Sequence, residues 1–289
     1  MSHALKRPLA PSTISSLNAS LGVLDQKTFE SLSQKIYQQA GIVLPYNEKN
    51  IALFNNRLSS LMRDFGLKTY QELNEAMRLP SEKLKNAFIS SLTTNKTHFF
   101  REEAHFDFLK AKIFPLIKSK PELRIWSSAC SLGSEAYTVA LMAEEIMTAM
   151  EKIRLKILAT DIDLEVLARA VSAKYSKMEL EGLPPHYVTK YFEQVGHHYK
   201  LKSETASRVH FSEFNLMDYQ YRFQKKFDVI FCRNVLIYFD QNTTDRVVDL
   251  LVSNLELKGH LIIGHSESGV IRHPSIVPFG NSIFQKVKP

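Results

Sequence analysis

Four short apolar runs are each followed by small, acidic or amide residues, and in an open α/β sheet the crevice beyond the carboxyl ends of the strands is where ligands bind. After the first run comes Ser127-Ser128-Ala129-Cys130-Ser131-Leu132-Gly133-Ser134-Glu135. Its small side chains would let backbone approach a bound nucleoside before a helix begins. It lacks G-x-G-x-x-G, and a plain strand-to-helix turn would look much the same. After the second comes Thr160-Asp161-Ile162-Asp163. One carboxylate there could accept from both ribose hydroxyls and one could cap a helix, and we assign Asp161 to the ribose and Asp163 to the cap. Asn215-Leu216 and Arg233-Asn234-Val235 bring amides and backbone groups to the same rim, suited to an adenine edge and an amino acid moiety.

These residues need a sheet to hold them. Leu123–Ser127, Leu155–Ala159, Phe227–Cys232 and His260–Gly264 read as the buried strands of βαβ units, with helices over Ser134 to about Ala149, Leu164–Ala173 and Asn242–Leu257. The end, Ile276–Val287, reads as a hairpin turning at Gly280-Asn281. Between Phe192 and Asn215 the alternating segments His197–Lys202 and Arg208–Ser212 are expected to pair across a Ser/Thr-rich turn as a small inserted β-element at 193–213. Ahead of the sheet the pattern is helical: Lys27–Ala40, Asn47–Phe65 with Gly66 as its stop, Tyr70–Met77 and Glu82–Ile89. The expected organisation is a flexible tail at 1–24, a helical domain at 25–86, and a doubly wound α/β domain at 87–289.

At 289 residues, 44% hydrophobic and 23% charged, the chain has the composition of an ordinary globular protein of two modest domains. Its two cysteines, Cys130 and Cys232, sit among apolar or small residues, which favours reduced buried thiols and a reducing cytoplasm over disulfides or a metal site. No stretch at the N-terminus reads as a signal peptide or a membrane span. The net charge of +7 favours an acidic partner without naming its class.

Several segments together carry a family resemblance. Thr94-Asn95-Lys96-Thr97-His98-Phe99-Phe100-Arg101-Glu102, Ala159-Thr160-Asp161-Ile162-Asp163, Phe231-Cys232-Arg233-Asn234-Val235-Leu236-Ile237-Tyr238-Phe239 and Gly264-His265-Ser266-Glu267 closely resemble the CheR-type chemotaxis receptor glutamate methyltransferases. Order and spacing hold from about Thr28 to the C-terminus. The resemblance implies a Rossmann-like class I methyltransferase sheet, a small all-helical N-terminal domain, a three-stranded antiparallel insertion, and S-adenosyl-L-methionine as cofactor. It also implies that Asn95, Thr97, Arg101, Glu135, Asp161, Asn215, Leu216, Asn234 and Val235 line the cofactor site, with Arg101 and Tyr238 facing the reaction centre. Taken without the resemblance, Arg101 would be read as a surface ion pair with Glu102 or Glu103, and Tyr238 as a core aromatic.

Two departures stand out. The family's turn reads roughly G-E-E-P-Y-S, and here it is Gly133-Ser134-Glu135-Ala136-Tyr137-Thr138. Glu135 is kept, while loss of the proline and the first glutamate would loosen the helix start. Members that dock on a pentapeptide at the receptor C-terminus carry a Gly-containing loop in the insertion, whereas Glu193–Ser212 is shorter and holds only Gly196. The expectation is an enzyme that works without that tether. Its substrate would be the cytoplasmic helical bundle of a chemotaxis receptor. From Lys27 to Ile89 nine Lys/Arg stand against six Asp/Glu, with Arg57 and Arg63 placed on the outward side of the second helix as receptor contacts. No nucleic acid, membrane insertion or metal is expected, and a monomer is. A nucleic-acid methyltransferase would call for an aromatic, Pro-rich strand-end motif or an RNA module, a nicotinamide enzyme for the dinucleotide fingerprint. A non-catalytic adaptor would bind cofactor without transferring methyl.

Overall fold

The computed structural model describes residues 22–289. The chain divides into two units, one ending at Thr93 and the other Thr94–Pro289. Of the expected tail at 1–24, residues 1–21 lie outside the described residues.

Among the described residues, the first unit holds four helices: α1 Gln26–Ala40, α2 Glu48–Asp64, α3 Tyr70–Ala76 and α4 Glu82–Leu92. Each begins where a short polar side chain takes up a free amide: Asp25 from Thr28, Asn47 from Asn50, Thr69 from Glu72 and Ser81 from Leu84. Gly41 and Gly66, both at positive φ, lie just past the ends of α1 and α2. Phe29, Leu32 and Ile36 of α1 pack with Phe54 and Leu58 of α2 and Phe88 of α4 at no exposure, with the Phe29 and Phe54 rings 4.4 Å apart. Burying each such side chain contributes about 1.5–3 kcal/mol. The domain boundary lies later than the expected 86/87, because α4 continues to Leu92 with Phe88, Ile89 and Leu92 all buried.

The second unit is built on seven strands in the order β6-β2-β1-β7-β8-β10-β9. They are β1 Leu123–Ser127, β2 Leu155–Asp161, β6 Val209–Glu213, β7 Phe227–Cys232, β8 Leu255–Ile263, β9 Ile276–Gly280 and β10 Ile283–Lys286. The first five pair in parallel, and β10 runs antiparallel to both β8 and β9. Alternate residues feed two cores. Ile125, Val229, Phe231 and Ile262 face one side, and Trp126, Ile230, Cys232 and Ile263 the other. The first core takes α5 Ala104–Phe108 with the irregular turns after it, and α6 Ser134–Ile146; the second takes the Gln241–Ser253 helix, whose Val247, Val248 and Leu251 are fully covered. That last helix stops four residues before the expected Leu257, because β8 already begins at Leu255. Helix α7, Ala149–Arg154, and α8, Leu164–Ser172, complete the βα connections.

The inserted β-element differs from expectation. A three-stranded antiparallel sheet does exist, in the order β3-β5-β4, from β3 Lys174–Ser176, β4 Phe192–Val195 and β5 His198–Leu201. The expected partner of His197–Lys202, the segment Arg208–Ser212, is absent from it. That segment belongs to β6, which pairs in parallel with β2 from Ile157–Val209 to Asp161–Glu213. The Ser/Thr-rich stretch between them is a helical turn, Ser203–Ala206, and the hairpin turns earlier, at Gly196. The physical reason is burial. Val209 enters the main core, leaving β5 free to pair with the edge segments that flank it.

Candidate active site

The carboxyl ends of β1, β2, β6, β7 and β8 face one rim, and the segment from Asn95 to Glu102 is bonded to it. After β1, Ser127 Oγ donates to Glu135 Oε1 at 2.6 Å, and Glu135 is buried in the first turn of α6. That turn opens on Gly133 at φ +81, where an added Cβ would stand 3.1 Å from both Ala170 Cβ and the Phe211 ring. Only glycine fits the turn without displacing neighbours. The helix start expected to be loose is closed by other means: Thr138 Oγ1 donates to Ser134 O at 2.7 Å and accepts from the Phe100 amide at 3.2 Å.

After β2, Asp161 is buried, and its two oxygens accept from the amides of Ser131 at 2.8 Å and Asp163 at 3.0 Å. Burial pushes its carboxyl up to about 6, against those amides, which favour the charged form. Asp163 takes the capping role, accepting from the amides of Glu165 and Val166 at the start of α8. Its second oxygen accepts from Asn95 Nδ2 at 2.8 Å, while Asn95 O accepts from Ser131 Oγ at 3.0 Å. Asn95, Asp161 and Glu135 are thus joined to one another through the β1 and β2 turns.

After β7 comes Arg233, buried, whose Nη1 donates to Glu135 Oε2 at 2.8 Å and whose Nη2 lies 3.3 Å from Glu102 Oε2. Nη2 also donates to the Arg101 carbonyl. Arg101 itself is half-buried, and its guanidinium turns back to donate to Lys96 O at 2.8 Å instead of pairing with Glu102 or Glu103. Asn234 sits at φ +58, and its amide donates to Glu267 Oε2 at 2.7 Å, as does the Gly264 amide at 2.8 Å. The other Glu267 oxygen accepts from the Ile237 amide at 3.3 Å. Glu267, 1% exposed, therefore fixes the turn that carries Asn234, Val235 and Tyr238. Tyr238 is half-buried at the end of that turn, more open than a core aromatic. Asn215 lies just past β6, its Oδ1 accepting from the Met217 amide at 2.9 Å, and Leu216 is buried beside it. Thr97 is half-buried between Asn95 and Arg101. Phe100, Glu102, Ser131 and Asn234 are all non-glycine residues in the left-handed region, with φ between +51 and +59.

In the helical unit, Arg63 is exposed. Arg57 departs from the outward placement expected of it. It is half-buried, and its Nη1 donates to Leu92 O at 3.2 Å and Thr93 O at 2.6 Å, at the end of α4.

The donor set fits a cationic amino acid nucleoside. Glu135 and Asp161 are each held by protein donors, and a carboxylate oxygen with two lone pairs can accept once more, from an ammonium or a ribose hydroxyl. Asn215 and Asn234 add amides suited to a base or a carboxylate. The sequence alone points neither to the anchoring role of Arg233 nor to Glu267. The hint it does carry for Arg233 is a charged residue directly after the wholly buried run Phe227–Cys232, since a buried arginine requires a carboxylate partner. Both cysteines are buried and free. Among the described residues, no helix is long and apolar enough to cross a membrane.

Comparison with known proteins accords with this arrangement. The model of the CheR methyltransferase all-alpha domain matches residues 27–93, and that of the CheR methyltransferase SAM binding domain matches 95–277. The chain is 40% identical over 253 residues to the chemotaxis protein methyltransferase of Escherichia coli K12, covering 85% of each. It is 39% identical over 242 residues to that of Borreliella burgdorferi, covering 81% of this chain and 85% of the relative. To the chemotaxis protein methyltransferase Cher2 of Pseudomonas putida it is 32% identical over 280 residues, covering 93% of this chain and 100% of the relative. The N-methyltransferase NodS of Bradyrhizobium japonicum WM9 superposes with a TM-score of 0.36 at 14% identity, covering 65% of this chain and 97% of that one. With one family model matching the helical unit and its companion the sheet that carries the rim, the chain belongs to the CheR methyltransferase family, as an S-adenosylmethionine-dependent methyltransferase of Rossmann-like fold.

Proposed function

We propose that the chain transfers a methyl group from S-adenosyl-L-methionine to glutamate side chains of chemotaxis receptors, yielding glutamate 5-O-methyl esters and S-adenosylhomocysteine. The observation that carries this reading is the match of both units to one enzyme family whose curated relatives are named chemotaxis protein methyltransferases. The partner is the receptor's cytoplasmic helical bundle, which places the enzyme in the cytoplasm, acting as a monomer and without nucleic acid.

A glutamate carboxylate has an ordinary pKa of about 4.3, so it meets the site at neutral pH already anionic and needs no general base. When bound, the cofactor supplies an electrophilic methyl on a sulfonium. Transfer of that methyl to the receptor oxygen would leave the electron pair on sulfur and would ask no side chain of this protein to move a proton. What remains for the protein is to align the reactants and exclude water, which lowers the barrier chiefly through orientation. Glu135 and Asp161, with Asn95, Thr97, Asn215, Leu216, Asn234 and Val235, hold the cofactor. Arg101, by exchanging the Lys96 carbonyl for a carboxylate, makes a stronger charge-assisted hydrogen bond, and Tyr238 flanks the reacting oxygen.

Arg63, exposed on α2, belongs to the receptor-docking face, while Arg57, tied to the carbonyls at the end of α4, supports the helix that carries it; no C-terminal pentapeptide tether is used.

The test is incubation of the purified full chain with methyl-labelled cofactor and a receptor cytoplasmic fragment, followed by base release of volatile methanol. Release that disappears when receptor glutamates become alanine is the expected result. Cofactor binding with no release from several receptors would replace this reading with that of an adaptor.

A further inference from the structure

We propose that Glu102, His105 and His265 form a binding site for a divalent transition-metal ion of the zinc class. One ligand atom from each lies within 4.8 Å of the other two. Glu102 Oε2 is 3.5 Å from His105 Nδ1 and 3.9 Å from His265 Nδ1. Ligands around a tetrahedral zinc ion stand roughly 3.3 Å apart, so a small closing of the two side chains suffices.

The sharper observation is the tautomer of His105. Its ring is fully buried, and Nε2 lies 2.6 Å from the Asn281 carbonyl oxygen, an acceptor only, so Nε2 carries a hydrogen. In the neutral ring Nδ1 is then a bare lone pair. It lies 3.5 Å from Glu102 Oε2, an oxygen that also carries lone pairs and has Arg233 Nη2 at 3.3 Å, and no hydrogen-bond donor stands between the two buried atoms. A cation placed there would turn two opposed acceptors into two ligands. The Nε2–H to carbonyl bond is the outer contact that fixes ring orientation in metal-bound histidines.

Arg233 lies near but does not close the site to a cation. Its single charge is shared between Glu135 and Glu102, so Arg233 and the two carboxylates together keep one net negative charge. The third ligand, His265, is accessible, its side chain 53% exposed, and a metal ion would replace the present 3.2 Å contact of its Nδ1 with Ser282 Oγ. A bound ion would join the segment next to Arg101 to the turn after β8 that carries Glu267.

The experiment uses the full, tag-free chain stripped with chelator and titrated with Co²⁺, read by its visible d–d absorption and by calorimetry. Uptake of one ion, displaced by Zn²⁺, is expected. His265→Gln, at an open position outside the proposed cofactor and catalytic residues, should weaken uptake by about 100-fold or more, since even losing an outer partner costs roughly 10–100-fold. Its metal-free unfolding midpoint should stay that of the wild type. Glu102→Gln should also lose the ion. No uptake by the wild type, or equal uptake by His265→Gln through histidines elsewhere in the chain, would overturn the proposal.

Discussion

Arg233 Nη1 donates to Glu135 Oε2 at 2.8 Å, joining the turn after β7 to the first turn of the helix after β1. Because the same guanidinium reaches Glu102 and the Arg101 carbonyl, one side chain links a proposed cofactor ligand to the segment bearing a proposed catalytic residue. Removing it would leave two carboxylates near each other with little water. Arg233→Ala should therefore destabilise the fold by about 3–5 kcal/mol, the usual cost of stripping one partner from a buried pair. Urea unfolding monitored by circular dichroism measures this, and a loss under 1 kcal/mol on that scale would contradict it.

Asp161 predicts a pH signature. Its carboxyl is raised from 3.8 to about 6 by burial, so the folded state prefers the protonated form. Below pH 3.8 both states are protonated, and between there and pH 6 the unfolded chain ionises first, so this residue's contribution to stability falls as pH rises. The full difference is roughly 3 kcal/mol at about 1.4 kcal/mol per unit. Cofactor hydroxyls prefer the ionised carboxylate, so affinity for S-adenosylhomocysteine should weaken as pH drops through 6. Calorimetry from pH 5 to 8 should show that trend in the wild type and a flat, weaker profile in Asp161→Asn.

Arg101 and Tyr238 should separate binding from turnover. Arg101→Ala is expected to lower kcat/KM by about 100-fold or more, as removal of one charge-stabilising donor commonly does. Tyr238→Phe, which keeps the ring, should lower kcat more than it raises KM for the cofactor. The methanol-release assay decides, and wild-type turnover in both variants would remove these roles.

The two arginines of α2 should behave differently. Arg63→Glu, at an exposed position, should slow receptor methylation while sparing cofactor affinity and the unfolding midpoint. Arg57→Ala should also cost stability, by about 1.5–3 kcal/mol, because its guanidinium serves two carbonyls at the end of α4. Unchanged methylation by Arg63→Glu would remove the docking face.

The small sheet offers only a short turn at Gly196 between β4 and β5. A peptide copying the last five residues of a tether-bearing receptor should give no calorimetric binding. Micromolar affinity would reverse that expectation.

Much of the architecture was legible because its signals are local. Asp25, Asn47, Thr69 and Ser81 mark helix starts by chemistry that acts within three residues. β1 and β7 are short, mainly apolar runs, broken only by Arg124 and Ser127 in one and Asp228 in the other, and the structure reproduces their ends. The strand Val209–Glu213 was misassigned because alternation reports that a segment is extended without naming its neighbour, and its neighbour here, β2, lies some fifty residues earlier in the chain. Distance in sequence also hid Arg233 and Glu267, whose partners come from separate turns. Asp161 could be located from its strand alone, while Glu135, in the first turn of a helix, was assigned through the family resemblance. The hydrogen bonds that aim them depend on which turns meet at the rim.

Phe100, Glu102, Ser131 and Asn234 hold the left-handed backbone that glycine adopts freely, at a cost of roughly 1–2 kcal/mol each. A chain shaped for durability alone would carry glycine at all four. Keeping side chains there means that the rim's conformational freedom is surrendered while the protein folds, so a ligand arriving later has less disorder to quench and spends less of its affinity on shaping its own site.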